Sequence, residues 1–306
     1  SGSDGRGGCG KVSEATAKPL PPVIVIGMHR SGTTMIARML SDLGVFMGAD
    51  LERNHESLFF IACNDWLLGN SGGRWDNPGA MKWLQASDEM LQLSEEYLAY
   101  RLRHAPARHY TGLARYVAGS RALPGLTCPW GWKDPRNTFT LPFWLRLFPA
   151  ARIVHIYRNG VAVAGSLCAR AKEEFVRGRS KHRHRLERGL YRWRAKRSGF
   201  GASPRALDLR GAFSLWEEYL AAAFDVTERG SGSVFAVKYE DFLSAPEAGV
   251  ARLASFCGLA PPASVLARIA VVADGGKREG FLADPELLTM QNELSDNPWM
   301  KRLGYV

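Results

Sequence analysis

The sequence predicts an α/β fold, a single P-loop-like domain with a central parallel sheet and helices on both faces, and three stretches carry that prediction. The first is Pro22-Val-Ile-Val-Ile-Gly27-Met-His-Arg30-Ser31-Gly32-Thr33-Thr34, where an apolar run breaks into a Gly, Ser and Thr loop. Val23 to Ile26 are β-branched and suit a buried strand, while Met35, Ile36, Met39, Leu40 and Leu43 recur at helical steps. The second, Ala151-Arg-Ile-Val-His-Ile-Tyr157-Arg158-Asn-Gly160, again feeds a strand into a turn and a helix, and Val234 to Leu243 does so a third time. Strands alternating with helices build a parallel sheet covered on both sides.

In chain order the reading is strand 23–27, helix 33–44, helices near 57–69 and 87–103, a helical stretch 138–148, strand 152–157, helix 160–172, helix 211–228, strand 234–239 and helix 246–257. Residues 1–20 lack an apolar period and read as a disordered tail, which leaves 21–306 as one domain. A chain of 306 residues with 46% hydrophobic content fills one large core and is too short for two.

The loop between Gly27 and Gly32 is built to hold an anion. Unpaired N–H groups at the start of the helix, the hydroxyls of Ser31, Thr33 and Thr34 and the charge of Arg30 converge there. The spacing matches the first part of a Walker A loop, but Gly32-Thr33-Thr34 stands where that motif needs Gly-Lys-Ser/Thr. The missing lysine makes a Mg·ATP kinase the alternative rather than the first reading. Past the second strand, Ser166 lies eight residues beyond Arg158, a little over two helical turns, so both can face a second phosphate beyond the sheet's carboxyl edge. His29 reads as a packing residue of the loop.

Taken together, these residues resemble the sulfotransferases that use 3′-phosphoadenosine 5′-phosphosulfate (PAPS). Arg30-Ser-Gly-Thr-Thr34 is similar to their 5′-phosphosulfate loop, Arg158 with Ser166 to their 3′-phosphate pair, and Tyr239-Glu-Asp-Phe-Leu243 to a segment whose tyrosine lies near the adenine. The arginine in the loop and the block Trp132-Lys133-Asp134-Pro135-Arg136 resemble the bacterial, carbohydrate and tyrosylprotein branches. The resemblance implies PAPS as donor, adenosine 3′,5′-bisphosphate (PAP) as product, no metal, and an acceptor hydroxyl or amine. It also implies a carboxylate or histidine base, for which Glu56 comes first, Glu52 second and His55 third; each acid also suits the start of the following helix as a mere charge. Lys133 would assist Arg30 from a facing loop, and Asp134 would pair with Arg136 or Arg158. The glycine-rich C-terminal 3′-phosphate segment of the phenol-type branch has no clear match here, and Lys277-Arg278 is the candidate substitute for it.

The net charge of +10 is concentrated: residues 172–197 carry eleven lysines and arginines against three glutamates. This basic insertion, about 172–200, reads as a lid, a steering patch for the anionic donor, a landing strip for an anionic acceptor, or a solvated face. No nucleic-acid-binding pattern accompanies it, although a non-enzymatic nucleotide- or polyanion-binding protein remains open. The five cysteines are scattered and form neither a disulfide framework nor a zinc pattern. No segment has the roughly 20 apolar residues of a membrane span. A cytoplasmic protein is the first expectation and a lumenal domain of a Golgi-type protein the second. Trp66, Trp75, Trp83, Trp130, Trp132 and Trp193 are candidates for an acceptor pocket or for the core.

Overall fold

A computed structural model describes residues 18–119, 122–193, 201–229, 233–274 and 280–306. The tail 1–17, the last part of the basic block and Lys277-Arg278 lie outside the described residues. Strands β1 (Val23–Ile26), β2 (Gly131–Lys133), β3 (Arg152–Tyr157) and β4 (Ser233–Lys238) form one all-parallel sheet in the order β2-β1-β3-β4. All four residues of β1 are buried, as a central strand covered on both faces demands.

The helices are α1 (Thr33–Asp42), α2 (Leu58–Asn70), α3 (Met81–Gln85), α4 (Asp88–Arg103), α5 (Arg108–Thr111), α6 (Leu113–Val117) and α7 (Asn137–Leu147) in the first half. The second half adds α8 (Gly160–Glu187), α9 (Leu209–Glu228), α10 (Tyr239–Ser244), α11 (Pro246–Phe256), α12 (Ala263–Asp274), α13 (Pro285–Glu293) and α14 (Pro298–Arg302). Alternation along the strands divides the core in two. Ile24, Ile26 and Ile153 share one layer with Phe60, Trp132, Trp144, Trp216 and Leu220, whereas Val23, Val25, Val154 and Ile156 share the other with Ile36, Leu40, Val250 and Leu253. Trp130 and Trp132 are therefore core residues, while Trp83 and Trp193 are exposed.

Three of the expectations read from the sequence are corrected. Lys133 ends a strand rather than lying in a loop: β2 pairs with β1 from Val23↔Gly131 to Val25↔Lys133, and three residues are too few to show a period. Helix α8 does not stop near 172 but continues through the first half of the basic block to Glu187, ending before Gly189 at φ 63°. Its charged stretch is rich in good helix formers, and an i,i+4 pair at 2.7 Å joins Arg170 to Glu174. Tyr239 opens α10 instead of closing β4.

The C-terminal helices, unforeseen in the sequence, brace the carboxyl edge of the sheet. Lys238 Nζ donates to Leu303 O at 2.7 Å, and Tyr305 Oη donates to Glu240 Oε2 at 3.0 Å. Glu240 Oε1 in turn accepts from Asn159 N at 3.0 Å, and Asn159 Oδ1 caps α8 by accepting from Val161 N and Ala162 N. The turn that carries Arg158 is thus tied to the last residues of the chain.

Candidate active site

The site lies beyond the carboxyl ends of β1, β2 and β3, where open parallel sheets expose loop backbone. Its centre is the loop from Gly27 to Gly32. Gly27 has φ 133°, and a Cβ there would stand 2.2 Å from Ile156 O, so the loop leaves β1 through a conformation and a gap that only glycine fits. Gly27 N donates to Thr138 Oγ1 at 3.2 Å. Arg30 is left-handed at φ 72°, and Gly32, at φ 97°, begins α1.

Helix α1 has no side-chain cap and no acid in its first turn. Its leading N–H groups have no partner within the helix, and the positive end of the dipole points out of the loop. Ser31 is fully buried, and its Oγ is shielded from solvent with no hydrogen-bond partner. Thr33 is buried and Thr34 half-buried beside it. A cradle of donors with an unsatisfied hydroxyl is chemically suited to an anion.

Cations surround the cradle on two sides. On one, Arg30 Nε donates to Ser166 Oγ at 2.8 Å, and Arg158 Nη1 donates to Arg30 O at 3.4 Å. The Arg158 guanidinium lies 4.7 Å from the ring centre of Tyr239, and that ring occupies the space above Gly32, where a Cβ would be 2.6 Å from Cδ2. Burial and the nearby Arg170 and Arg158 hold Arg30 below its ordinary pKa, a sign of cationic charge gathered at one spot. The structure thus brings Arg30, Arg158, Ser166 and Tyr239 together, although Ser166 bonds to Arg30 rather than pairing with Arg158.

On the other side, Lys133 Nζ donates to Glu56 Oε1 at 2.6 Å and approaches Thr34 Oγ1 at 3.5 Å. Lys133 is 1% and Glu56 7% exposed, so the pair is withdrawn from water at the start of α1. Arg136 Nη2 stands 3.8 Å from Glu56 Oε2. Burial raises the Glu56 pKa, with Lys133 opposing and Asp134 reinforcing the rise. Glu52 lies in the same turn, but its carboxylate accepts from Asn54 N at 2.8 Å, and His55 is left-handed at φ 58° with burial lowering its pKa. Of the three candidates for the base, Glu56 is the one in contact with Lys133.

Asp134 pairs with Arg136, the first of its two anticipated partners, at 2.8 Å from Nε. Against the burial that lowers it, the Asp134 and Asp65 carboxylates hold Arg136 above its ordinary pKa. Sequence reasoning missed what fixes this block. Asn64 Nδ2 donates to Asp134 Oδ2 and Asn137 Oδ1, both at 2.8 Å, and Asn137 Nδ2 donates to Val25 O at 3.1 Å. Asn64 Oδ1 accepts from Thr140 Oγ1 at 2.7 Å and from Trp144 Nε1 at 3.0 Å. The asparagine at position 64, set within the apolar run that opens α2, was the available signal.

Residues 21–262 match the sulfotransferase family by sequence. The chain belongs to that family. Among solved sulfotransferases, the chain is similar to STF9 from Mycobacterium avium at 18% identity and a TM-score of 0.47, covering 87% of this chain and 70% of that one. A sulfotransferase from Alicyclobacillus acidocaldarius shows 18% identity and a TM-score of 0.44 over 90% of each chain. The sulfotransferase domain of the Synechococcus PCC 7002 olefin synthase shows 17% identity and a TM-score of 0.44, covering 90% of this chain and 84% of that domain. No curated protein matches the chain. Membership of the family gives sulfuryl transfer as the general activity. Among the described residues no helix is long and apolar enough to cross a membrane.

Proposed function

We propose that the protein moves a sulfuryl group from PAPS to an acceptor hydroxyl, releasing PAP. The observation that carries this reading is the uncapped start of α1, with the unpartnered Ser31 hydroxyl, with Arg30 in the same loop and with Lys133 Nζ 3.5 Å from Thr34 Oγ1. The first-turn N–H groups of α1, Ser31, Thr33 and Thr34 hold the 5′-phosphosulfate. Arg158 and Ser166 serve the 3′-phosphate, and Tyr239, already under the Arg158 guanidinium, offers its ring to the adenine.

In the reaction the acceptor oxygen forms a bond to sulfur while the bond from sulfur to the 5′-phosphate oxygen breaks. The acceptor proton goes to Glu56, and the electron pair stays on the departing phosphate. Sulfuryl transfer in line demands positioning and charge stabilisation more than covalent help from the protein. Glu56 is suited to its part because burial makes its carboxylate a stronger base than an exposed one. Protonation of Glu56 removes the partner of Lys133 and frees that ammonium, 3.5 Å from Thr34 Oγ1, to meet the charge on the leaving phosphate.

Incubation with ³⁵S-labelled PAPS and a mixture of small hydroxyl compounds tests the reading. The wild type transfers label to an organic product, and Glu56→Gln lowers the rate by about 10²-fold or more, the scale of a lost general base. The rate of the wild type falls on the acid side as Glu56 protonates, at a pH above the ordinary carboxylate range. Transfer of ³²P from labelled ATP, with none of ³⁵S, would replace this reading with a kinase.

A further inference from the structure

A cavity of about 310 Å³ adjoins the loop, lined by His29, Trp75, Arg136, Ser203 and the stretch of α8 from Leu167 to Glu174. Its volume is that of a site for a small molecule. Two of its walls belong to the machinery already described. His29 lies between Met28 and Arg30 in the anion-binding loop, and Arg136 lies 3.8 Å from Glu56 Oε2. A molecule in this cavity would lie against His29 of the loop and against Arg136, the neighbour of Glu56.

His29 Nε2 is shielded from solvent and makes no hydrogen bond. The ring meets Trp75 edge-on at 5.0 Å and Tyr219 at 6.2 Å, contacts that fix its orientation but satisfy no lone pair. Burial holds the imidazole neutral, and the surrounding Arg136, Lys133, Arg170 and Arg30 add to that effect. A buried nitrogen without a partner is costly, and a hydroxyl donor relieves it. Both arginines of the lining already have acidic partners: Arg136 is held from behind by Asp134, Asp65 and Glu56, and Arg170 Nε donates to Glu174 Oε1 at 2.7 Å. Nothing in that wall calls for an anionic occupant, while Leu167 and Trp75 give it apolar surface.

We propose that this cavity binds the acceptor, that the acceptor is an uncharged hydroxyl compound with an apolar body, and that His29 positions it by accepting a hydrogen bond from an acceptor hydroxyl at Nε2. The inference rests on the sulfuryl-transfer reading and narrows it. It places the acceptor beside α8 rather than along the exposed basic face of that helix.

The test is calorimetric titration of the PAP-saturated protein with 1-adamantanol, 1-methoxyadamantane and 3-hydroxyadamantane-1-carboxylate. The wild type binds the alcohol at least about tenfold more tightly than the methyl ether, because a site built around a buried acceptor group rejects an analogue without the donor. It prefers the alcohol over the carboxylate by a similar factor. In His29→Phe the preference for the alcohol over the ether disappears, a ratio taken within one variant and so independent of its stability. Ala171→Phe fills the cavity from α8, retains the wild-type affinity for PAP and loses the alcohol. Equal binding of alcohol and ether by the wild type, a stronger affinity for the carboxylate, or an unchanged ratio in His29→Phe overturns the proposal. A wild type that binds no PAP overturns the donor reading instead, and the same series run without PAP then decides the cavity on its own.

Discussion

Gly32 shows how one residue serves both the backbone and the ligand. At φ 97° it opens α1 in a region that side-chain-bearing residues adopt at a cost, and the Tyr239 ring fills the space its Cβ would need. Gly32→Ala is therefore expected to destabilise the fold by about 1–3 kcal/mol and, by displacing Tyr239 and with it Arg158, to weaken PAP at least about tenfold, about 1.4 kcal/mol. Urea denaturation and calorimetry check the two effects; an unaltered affinity would mean that Tyr239 has no part in the donor site. The glycines and the Arg-Ser-Gly-Thr-Thr cluster were legible in the sequence because their chemistry is local. His29 was not, since a packing ring and an unpartnered ring nitrogen differ only by what surrounds the ring. Its neighbours Trp75, Tyr219, Arg136 and Arg170 come from four distant stretches of chain.

At the scale of elements, the block from Trp130 to Arg136 holds its place through a partner that sequence reasoning passed over. Asn64 on α2 bonds to Asp134 and Asn137 and accepts from Thr140 and Trp144, which joins α2, β2 and α7 through one buried amide. Asn64→Leu leaves those groups unpaired in a dry interior and is expected to cost about 2–4 kcal/mol. Equilibrium denaturation measures it, and a loss below about 1 kcal/mol would show that the network is not a structural tie. The strands β1, β3 and β4 and their helices were readable from β-branched runs followed by turns. The three-residue β2 was not, because its residues Gly131, Trp132 and Lys133 show neither a β-branched run nor an alternation. The length of α8 was hidden for the opposite reason: a strongly charged run reads as a loop or an insertion, while its arginines, lysines and glutamates favour a helix.

For the whole molecule, the parallel order β2-β1-β3-β4 aligns the strand ends so that Gly27, Lys133, Arg158 and Tyr239 share one edge. The core beneath that edge contains a titratable group with no role in the proposed chemistry. His155 of β3 is 1% exposed, its Nδ1 has no hydrogen-bond partner, and burial lowers its pKa from 6.5 to about 4. Because the folded value lies below the unfolded one, the unfolded chain takes up the proton first as the pH falls. Between pH 7 and pH 5 this is expected to remove about 2 kcal/mol of stability, a share of the acid loss that is missing in His155→Leu. Parallel urea curves at the two pH values check it, and an equal loss in the variant would assign the effect elsewhere.

The central claim, that the loop, Arg158 and Tyr239 form a site for a 3′,5′-bisphosphorylated nucleotide, is met most directly by isothermal titration with PAP. ATP run in parallel, each with and without Mg²⁺, on the wild type and on Arg158→Ala, completes the measurement. The account predicts PAP binding that does not depend on Mg²⁺, exceeds that of ATP, and weakens by about two orders of magnitude in Arg158→Ala, the scale of a lost charge-assisted contact. Absence of PAP binding, or a preference for Mg·ATP, would contradict it.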